Sequence, residues 1–261
     1  TGDLIPSEWL RYGDKRGQSH YWLRYHHLPS GHLAGTFGNW RTGEKHTFRS
    51  WDNGADTSKY DAAKFQREYE QRQQQAEAKQ AKRHADAAAL AADMLENMPD
   101  HGQSTYLKQK GVNGYGVHYG NDYHGQFIAV PVRTIAGELT GLHRIYDKPA
   151  NGKNKLFLPG TKKRGAFHQI GGGIVDEVIL CEGYATGASL YEAAGRPVVV
   201  CFDAGNLKPV GEAIRGKYPD ARITIAADND QFKAVNVGVT KATDTAKLIG
   251  ARLAIPKFTD T

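Results

Sequence analysis

Cysteine is nearly absent: Cys181 and Cys201 are the only two in 261 residues, and no Cys-x-x-Cys occurs. A four-cysteine zinc ribbon is thereby excluded. Both thiols close apolar runs, so they read as packed side chains rather than a disulfide, and a reducing cytoplasm fits that usage. There is no apolar run of roughly eighteen residues, so no helix is expected to span a membrane. No signal peptide is visible, and the chain opens Thr1-Gly2-Asp3 without methionine, which points to a fragment of a longer polypeptide. Gly-x-Ser-x-Gly, His-Glu-x-x-His and the P-loop lysine motif are all missing. The eleven histidines are dispersed, and His26-His27 reads as a surface pair rather than a ligand pair.

Charge is what the chain has in moderate excess. Thirty-four Lys and Arg against 28 Asp and Glu give a net +6, with an isoelectric point near 9.1. That biases the chain modestly toward polyanionic partners. Apolar content of 39% and mean hydropathy of −0.59 are low for a compact enzyme and imply an extended polar segment.

Four regions follow from the pattern. Residues 1–57 are rich in aromatics and glycine, with strands over 21–25, 33–37 and 45–51 separated by turns, and read as a small antiparallel β module. Its Trp22, Phe37, Trp40 and Trp51 either form the module's own small core or a platform for stacking bases. Residues 58–98 contain neither Gly nor Pro and are dominated by Ala, Gln, Lys, Arg and Glu. That composition favours a helix of ~50 Å with no broad apolar stripe, an exposed helical linker. Residues 99–173 combine a helix-and-turn stretch (106–117), strands 127–133 and 139–145, and a basic segment. From 174 to 261, strands 177–181, 197–202, 222–227 and 252–255 alternate with helices 184–194, 208–217 and 239–250. This is the βαβ pattern of a parallel sheet. The fold class expected is α/β: a parallel sheet flanked by helices, preceded by a basic α+β half, a long helix and the β module.

Two apolar runs in that last region end in acid. Val178-Ile179-Leu180-Cys181 leads into Glu182-Gly183, and Ile223-Thr224-Ile225-Ala226-Ala227 leads into Asp228-Asn229-Asp230. In open parallel sheets chemistry gathers at the carboxyl ends of the strands, so these acids should meet on one edge. Glu182, Asp228 and Asp230 are therefore candidate ligands for Mg²⁺ or Mn²⁺ and candidate catalytic residues, with no zinc. Against this stands the plainer reading of each acid as a turn or N-cap residue, which weakens when two such strands share one unit. Asp203, ending the intervening strand, reads either as an N-cap or turn acid or as a further contributor to the metal set.

Lys153, Lys155, Lys162, Lys163 and Arg164, with His143 and Arg144 just before them, interleave with Phe157, Phe167 and His168. Cations bind phosphates and aromatic faces stack bases, so the run suits single-stranded DNA. A merely solvated charged face is the alternative.

The pairing of Glu182-Gly183 with Asp228-x-Asp230 in a four-stranded α/β unit resembles the TOPRIM domain of bacterial-type primases, topoisomerases and some nucleases. The stretches 106–112, 128–144 and 155–168 look like the basic half of the bacterial primase catalytic core. Asp203-Ala204-Gly205-Asn206-Leu207 and Gly238-Val239-Thr240-Lys241-Ala242-Thr243 are similar to primase-like proteins of conjugative plasmids and phages, the TraC-like group. The resemblance covers roughly 103–257 and extends loosely over 1–57. It implies that Glu182, Asp228 and Asp230 hold magnesium, that Lys155 and Arg144 contact template or nucleotide, and that Lys241 lies near nucleic acid. Three features depart from replicative primases. Thr186 occupies a position they fill with an acid, the zinc-ribbon cysteines are missing, and Gln231 to Val237 replaces a short Ala-Gly link.

The activity so implied is metal-dependent synthesis of RNA primers on single-stranded DNA from ribonucleoside triphosphates. A helicase or relaxase domain of the same polypeptide is the expected partner, and no membrane is involved. A nuclease using water at the same metals, and a catalytically weak single-strand-binding module of a larger relaxase or helicase polyprotein, are the alternatives.

Overall fold

The computed structural model describes residues 10–13, 19–27, 33–50, 62–150, 152–229 and 236–257. The chain divides into two compact units, Thr1–Ala78 and Lys79–Thr261.

In the first unit, β1 (Leu10–Gly13), β2 (Ser19–His27), β3 (Leu33–Asn39) and β4 (Lys45–Arg49) form a four-stranded antiparallel meander. β1 is one strand more than the pattern suggested. β3 carries glycines where neighbouring rings need its backbone: a Cβ on Gly38 would stand 2.7 Å from the Trp22 indole. Trp22 is buried, but Phe37 and Trp40 are about half exposed, so these residues do not make one closed core. Trp51 lies outside the described residues.

Helix α1 (Ala62–Asn97) forms as its composition dictates. The exposed linker expected there holds only in part. Side chains from Gln71 to Arg83 are exposed, but Ala87 and Ala91 are buried, and Met94, Leu95 and Met98 pack on Phe127, Leu142, Tyr146 and Leu158. The seam is made of alanine, too small to register as an apolar stripe. Gly160 meets it closely, since a Cβ there would stand 3.0 Å from that of Ala87, and His84 Nδ1 lies 2.7 Å from the Gly160 carbonyl oxygen. The second unit thus begins inside the helix, well before the break expected at Pro99.

That unit continues with α2 (Thr105–Lys110), β5 (His118–Asp122), β6 (Gly125–Arg133), β7 (Leu139–Ala150), β8 (Lys153–Phe157) and β9 (His168–Ile170). α2 is capped by Ser104 Oγ, which accepts from Leu107 N, and by the Asp147 carboxylate, which accepts from Thr105 N and Tyr106 N. Strands β5–β8 form an antiparallel sheet in sequence order. Then follow β10 (Glu177–Cys181), α3 (Tyr184–Ala194), β11 (Val198–Val200), α4 (Ala204–Lys217), β12 (Arg222–Ala226), α5 (Val237–Ile249) and β13 (Arg252–Ala254). The sheet order is β13-β12-β10-β11-β9, with β9 the one antiparallel strand.

Both faces of this sheet are covered, which is why β10, β11 and β12 read as continuous apolar runs. On one face Val178, Leu180, Val199, Ile223 and Ile225 meet Leu207, Val210 and Ile214 of α4 and Ala242, Ala246 and Ile249 of α5. On the other, Cys181, Val198 and Val200 meet Tyr184 and Ala188 of α3 together with Ile128, Val130 and Ile145 of the antiparallel sheet. The basic half and the parallel sheet therefore share one core. Cys181 and Cys201 are free and buried, as packed thiols. Among the described residues no helix is long and apolar enough to cross a membrane.

Candidate metal and nucleic-acid site

Strand register places the two described acids. β10 and β12 are parallel neighbours, with Cys181 opposite Ala226, so Glu182 and Asp228 leave the sheet on the same edge. Gly238, in the first turn of α5, packs closely on the backbone of Asp228 and the carboxylate of Glu182. A Cβ there would overlap the Asp228 carbonyl oxygen and stand 3.0 Å from Glu182 Oε1. Only glycine lets the start of α5 come this close, and a helix N-terminus favours negative charge. Burial pushes the Cys181 thiol pKa up, and the nearby charges of Asp228 and Glu182 push it further. Among the described residues no set of three or more possible metal ligands forms. Asp230 and the segment after it lie outside the described residues. Glu182 and Asp228 are hard oxygen donors at one edge of the sheet, a chemistry that fits Mg²⁺ or Mn²⁺ better than a soft metal.

Opposite this edge stands β8. Lys155 is exposed, yet desolvation lowers its ammonium pKa; Lys110 lowers it too, while Asp228 raises it. Lys155 thus sits within electrostatic reach of the acid. Register puts Lys155, Phe157, His143 and Ile145 on one face of the antiparallel sheet. His143 is buried, its pKa pulled down to about 3 by burial and then by Lys155 and Lys163, so its ring is neutral. It stacks on Phe157 at 4.5 Å, and Phe202 meets both rings edge-on at 5.2 and 5.4 Å. Phe202 reaches that position with φ of 72°, the one described non-glycine residue with positive φ. Such strain persists only where surrounding contacts over-determine it.

Lys163 is ion-paired to Asp203 and lies 5.8 Å from the centre of the Phe157 ring. Asp203 is the N-cap of α4: its Oδ1 accepts from Asn206 N at 3.0 Å. Both carboxylate oxygens of Asp203 are thus engaged, which favours the N-cap alternative for it. Lys153, Lys162 and Arg164 are exposed beside these groups in sequence, and Lys241 is exposed on α5.

Two candidate nucleic-acid contacts are not available to a ligand. His168 is buried, with Nε2 2.9 Å from the Tyr115 carbonyl oxygen and Nδ1 3.2 Å from that of Pro131. Arg144 falls on the opposite face of β7 from His143. There its Nη1 donates to Asp122 Oδ2 at 2.9 Å, and its guanidinium lies over Phe127 and Tyr146. The alternation of a strand sends neighbours to opposite faces, and adjacency to a basic run does not reveal which face a residue takes. Tyr146 donates to the same carboxylate oxygen, and burial followed by that bond raises its pKa to about 12.

Asn206 is the residue the sequence undersold. Its Nδ2 donates to the carbonyls of Lys163 (3.2 Å), Ala166 (2.8 Å) and Cys201 (2.9 Å), and its Oδ1 accepts from Gly165 N. This pins the basic loop to the parallel sheet. The signal available was its place in the Asp203–Leu207 stretch. Neither of two described cavities, of about 660 and 280 Å³, is lined by Glu182 or Asp228.

Comparison with known families matches residues 177–256 to the Toprim domain. Those residues are a Toprim domain. Over most of its length the chain is also TraC-like. It is 31% identical over 257 residues to DNA primase TraC of Escherichia coli, covering 94% of this chain and 23% of that protein. A second Escherichia coli DNA primase TraC is 32% identical over 238 residues, covering 87% of this chain and 16% of the relative. The chain thus spans less than a quarter of the length of these relatives. Among solved structures, a DNA primase domain from Pseudomonas aeruginosa superposes with TM-score 0.45 at 16% identity, over 65% of this chain and 70% of the other. A DnaG primase catalytic domain bound to ssDNA gives TM-score 0.48 at 12% identity, over 68% and 72%. Glu182 and Asp228 both fall inside the Toprim segment, while Lys155 and Lys163 precede it.

Proposed function

We propose that this chain is the catalytic portion of a DNA primase, making short RNA primers on single-stranded DNA from ribonucleoside triphosphates, in plasmid conjugation or phage replication. The observation that carries this reading is the pair Glu182 and Asp228 at one edge of the sheet beside Gly238, with Lys155 of the basic half within reach of Asp228. The Toprim match and the similarity to DNA primase TraC support it.

Glu182 and Asp228, with Asp230, would hold magnesium or manganese. Such an ion, when bound, lowers the pKa of an attacking 3′-hydroxyl and neutralises charge on a triphosphate. The chain's own groups do the rest. Lys155 sets a positive charge across from the acids, where phosphate would sit. The N-terminus of α5 adds its dipole at the same point. Lys153, Lys162 and Arg164 are exposed for template phosphates, while Lys163 fixes the loop through Asp203. A helicase or relaxase domain would lie elsewhere in the longer parent polypeptide.

The test incubates the chain with single-stranded DNA, labelled ribonucleotides and Mg²⁺ or Mn²⁺, scoring new oligonucleotides and template loss together. Primer synthesis is the expected result. Template degradation without synthesis would transfer the site to a nuclease, and neither outcome would leave only a binding module.

A further inference from the structure

We infer that the β1–β4 sheet is a second surface for single-stranded nucleic acid, on which bases stack against Tyr12, Tyr21 and Phe37. The register makes the surface. Tyr12 faces Tyr21 directly across β1 and β2, and Leu23, two residues from Tyr21, faces Phe37 on β3. Phe37 in turn faces His46 on β4. Side chains alternate along a strand, so all five share one face.

That face is open at this end. Tyr12 is 46% exposed, Tyr21 50% and Phe37 45%. His46 stacks on Phe37 with ring centres 5.2 Å apart and 26° between planes, which holds the phenyl ring upright. The other face carries Trp22, Arg24 and His26. There burial, then the charges of Arg24 and Arg72, lowers the His26 pKa. A four-stranded sheet with aromatics in front is a geometry that stacks two or three bases of a single strand. Tyr12 and Tyr21 are direct cross-strand neighbours, and Phe37 is diagonal to Tyr21 at roughly 7–8 Å, intervals a stretched strand can follow.

Charge selects the occupant. The described residues of the sheet and its turns hold five Lys and Arg (Arg11, Arg24, Arg41, Lys45, Arg49) and one acid, Glu44. Those cations lie mostly on the other face or in the turn, one layer from the rings, where their field still favours a polyanion. A protein-docking patch of this size would be richer in aliphatic side chains, and among the described residues Leu10, Leu23 and Leu33 supply them on this face. Stacking on aromatic rings is tolerant of sequence, so the surface would grip a passing strand without reading it.

The test uses the whole chain and a fluorescent oligo(dT), with neither metal nor nucleotide present, so it is independent of the catalytic reading. Tyr21→Ala combined with Phe37→Ala should weaken binding by about five-fold or more for each ring removed. Tyr21→Phe and Phe37→Tyr keep the ring faces and should bind as the parent does. Oligonucleotides carrying 5-iodouracil should photo-crosslink to peptides containing Tyr12, Tyr21 or Phe37. Unchanged affinity in the alanine variant, equal loss in the conservative variants, or crosslinks confined to residues 79–261 would each overturn the inference.

Discussion

Oδ1 of Asn206 accepts a hydrogen bond from the backbone nitrogen of Gly165 at 2.8 Å, across 41 positions of sequence. With the three carbonyls that its Nδ2 serves, this buried amide joins the loop carrying Lys162, Lys163 and Arg164 to the start of α4. The loop's cations are therefore presented from a fixed backbone. Under the proposed function, electrostatic contacts to a flexible template gain from that, because less ordering is left for the moment of binding.

Asn206→Ala should destabilise the protein by about 3 kcal/mol or more, since it strands several buried polar groups. Thermal melting measures the loss. Single-strand affinity should fall as well, though none of the loop's cations has changed. If the melting point and affinity both stay put, the amide is not the anchor described here.

Glu182→Gln should abolish primer synthesis while single-strand binding persists, because the amide keeps the shape and loses the charge. Asp228→Asn should behave alike, and the double variant should be no worse than either single one, as expected of groups acting as a unit. Gly238→Ala should also remove synthesis, because its methyl group overlaps the Asp228 carbonyl and crowds Glu182. Gel assays of primer formation beside anisotropy measurements of binding decide each case.

A fragment beginning at Lys79 should fold, and one beginning at Pro99 should melt lower or aggregate. The shorter piece loses Ala87, Ala91, Met94 and Leu95 and uncovers Phe127, Leu142, Tyr146 and Leu158. Comparing the two melting curves tests the alanine seam directly. Equal stability would show that the last turns of α1 contribute little.

Acid should weaken the fold through His143. Its folded-state pKa, about 3, lies below the unfolded value, because burial and then Lys155 and Lys163 disfavour the imidazolium. The unfolded chain binds the extra proton between pH ~6.5 and ~3, so stability is complete above pH ~6.5 and falls as pH drops. The slope from this group is about 1.4 kcal/mol per pH unit within that window. His143→Phe keeps the stack on Phe157 and removes the titrating ring. It should be less acid-sensitive than the parent in denaturant titrations at pH 7 and pH 4.5. His168, whose pKa burial also lowers, leaves a residual slope in both proteins.

Periodicity and composition alone determined much of this protein. Strands buried on both faces must be continuously apolar, so β10, β11 and β12 were legible, and so was the edge where Glu182 and Asp228 emerge. Glycine- and proline-free composition determined that α1 is a helix, because propensity is local. What α1 packs against was decided only by tertiary structure, since alanine contributes through close approach rather than apolar bulk. The same holds for the basic run, where strand alternation sent Arg144 to one face and His143 to the other, and buried His168 between two carbonyls. Asn206, Phe202 and Gly238 show why: their roles depend on which distant backbone comes within a few ångströms, a quantity that no local pattern encodes.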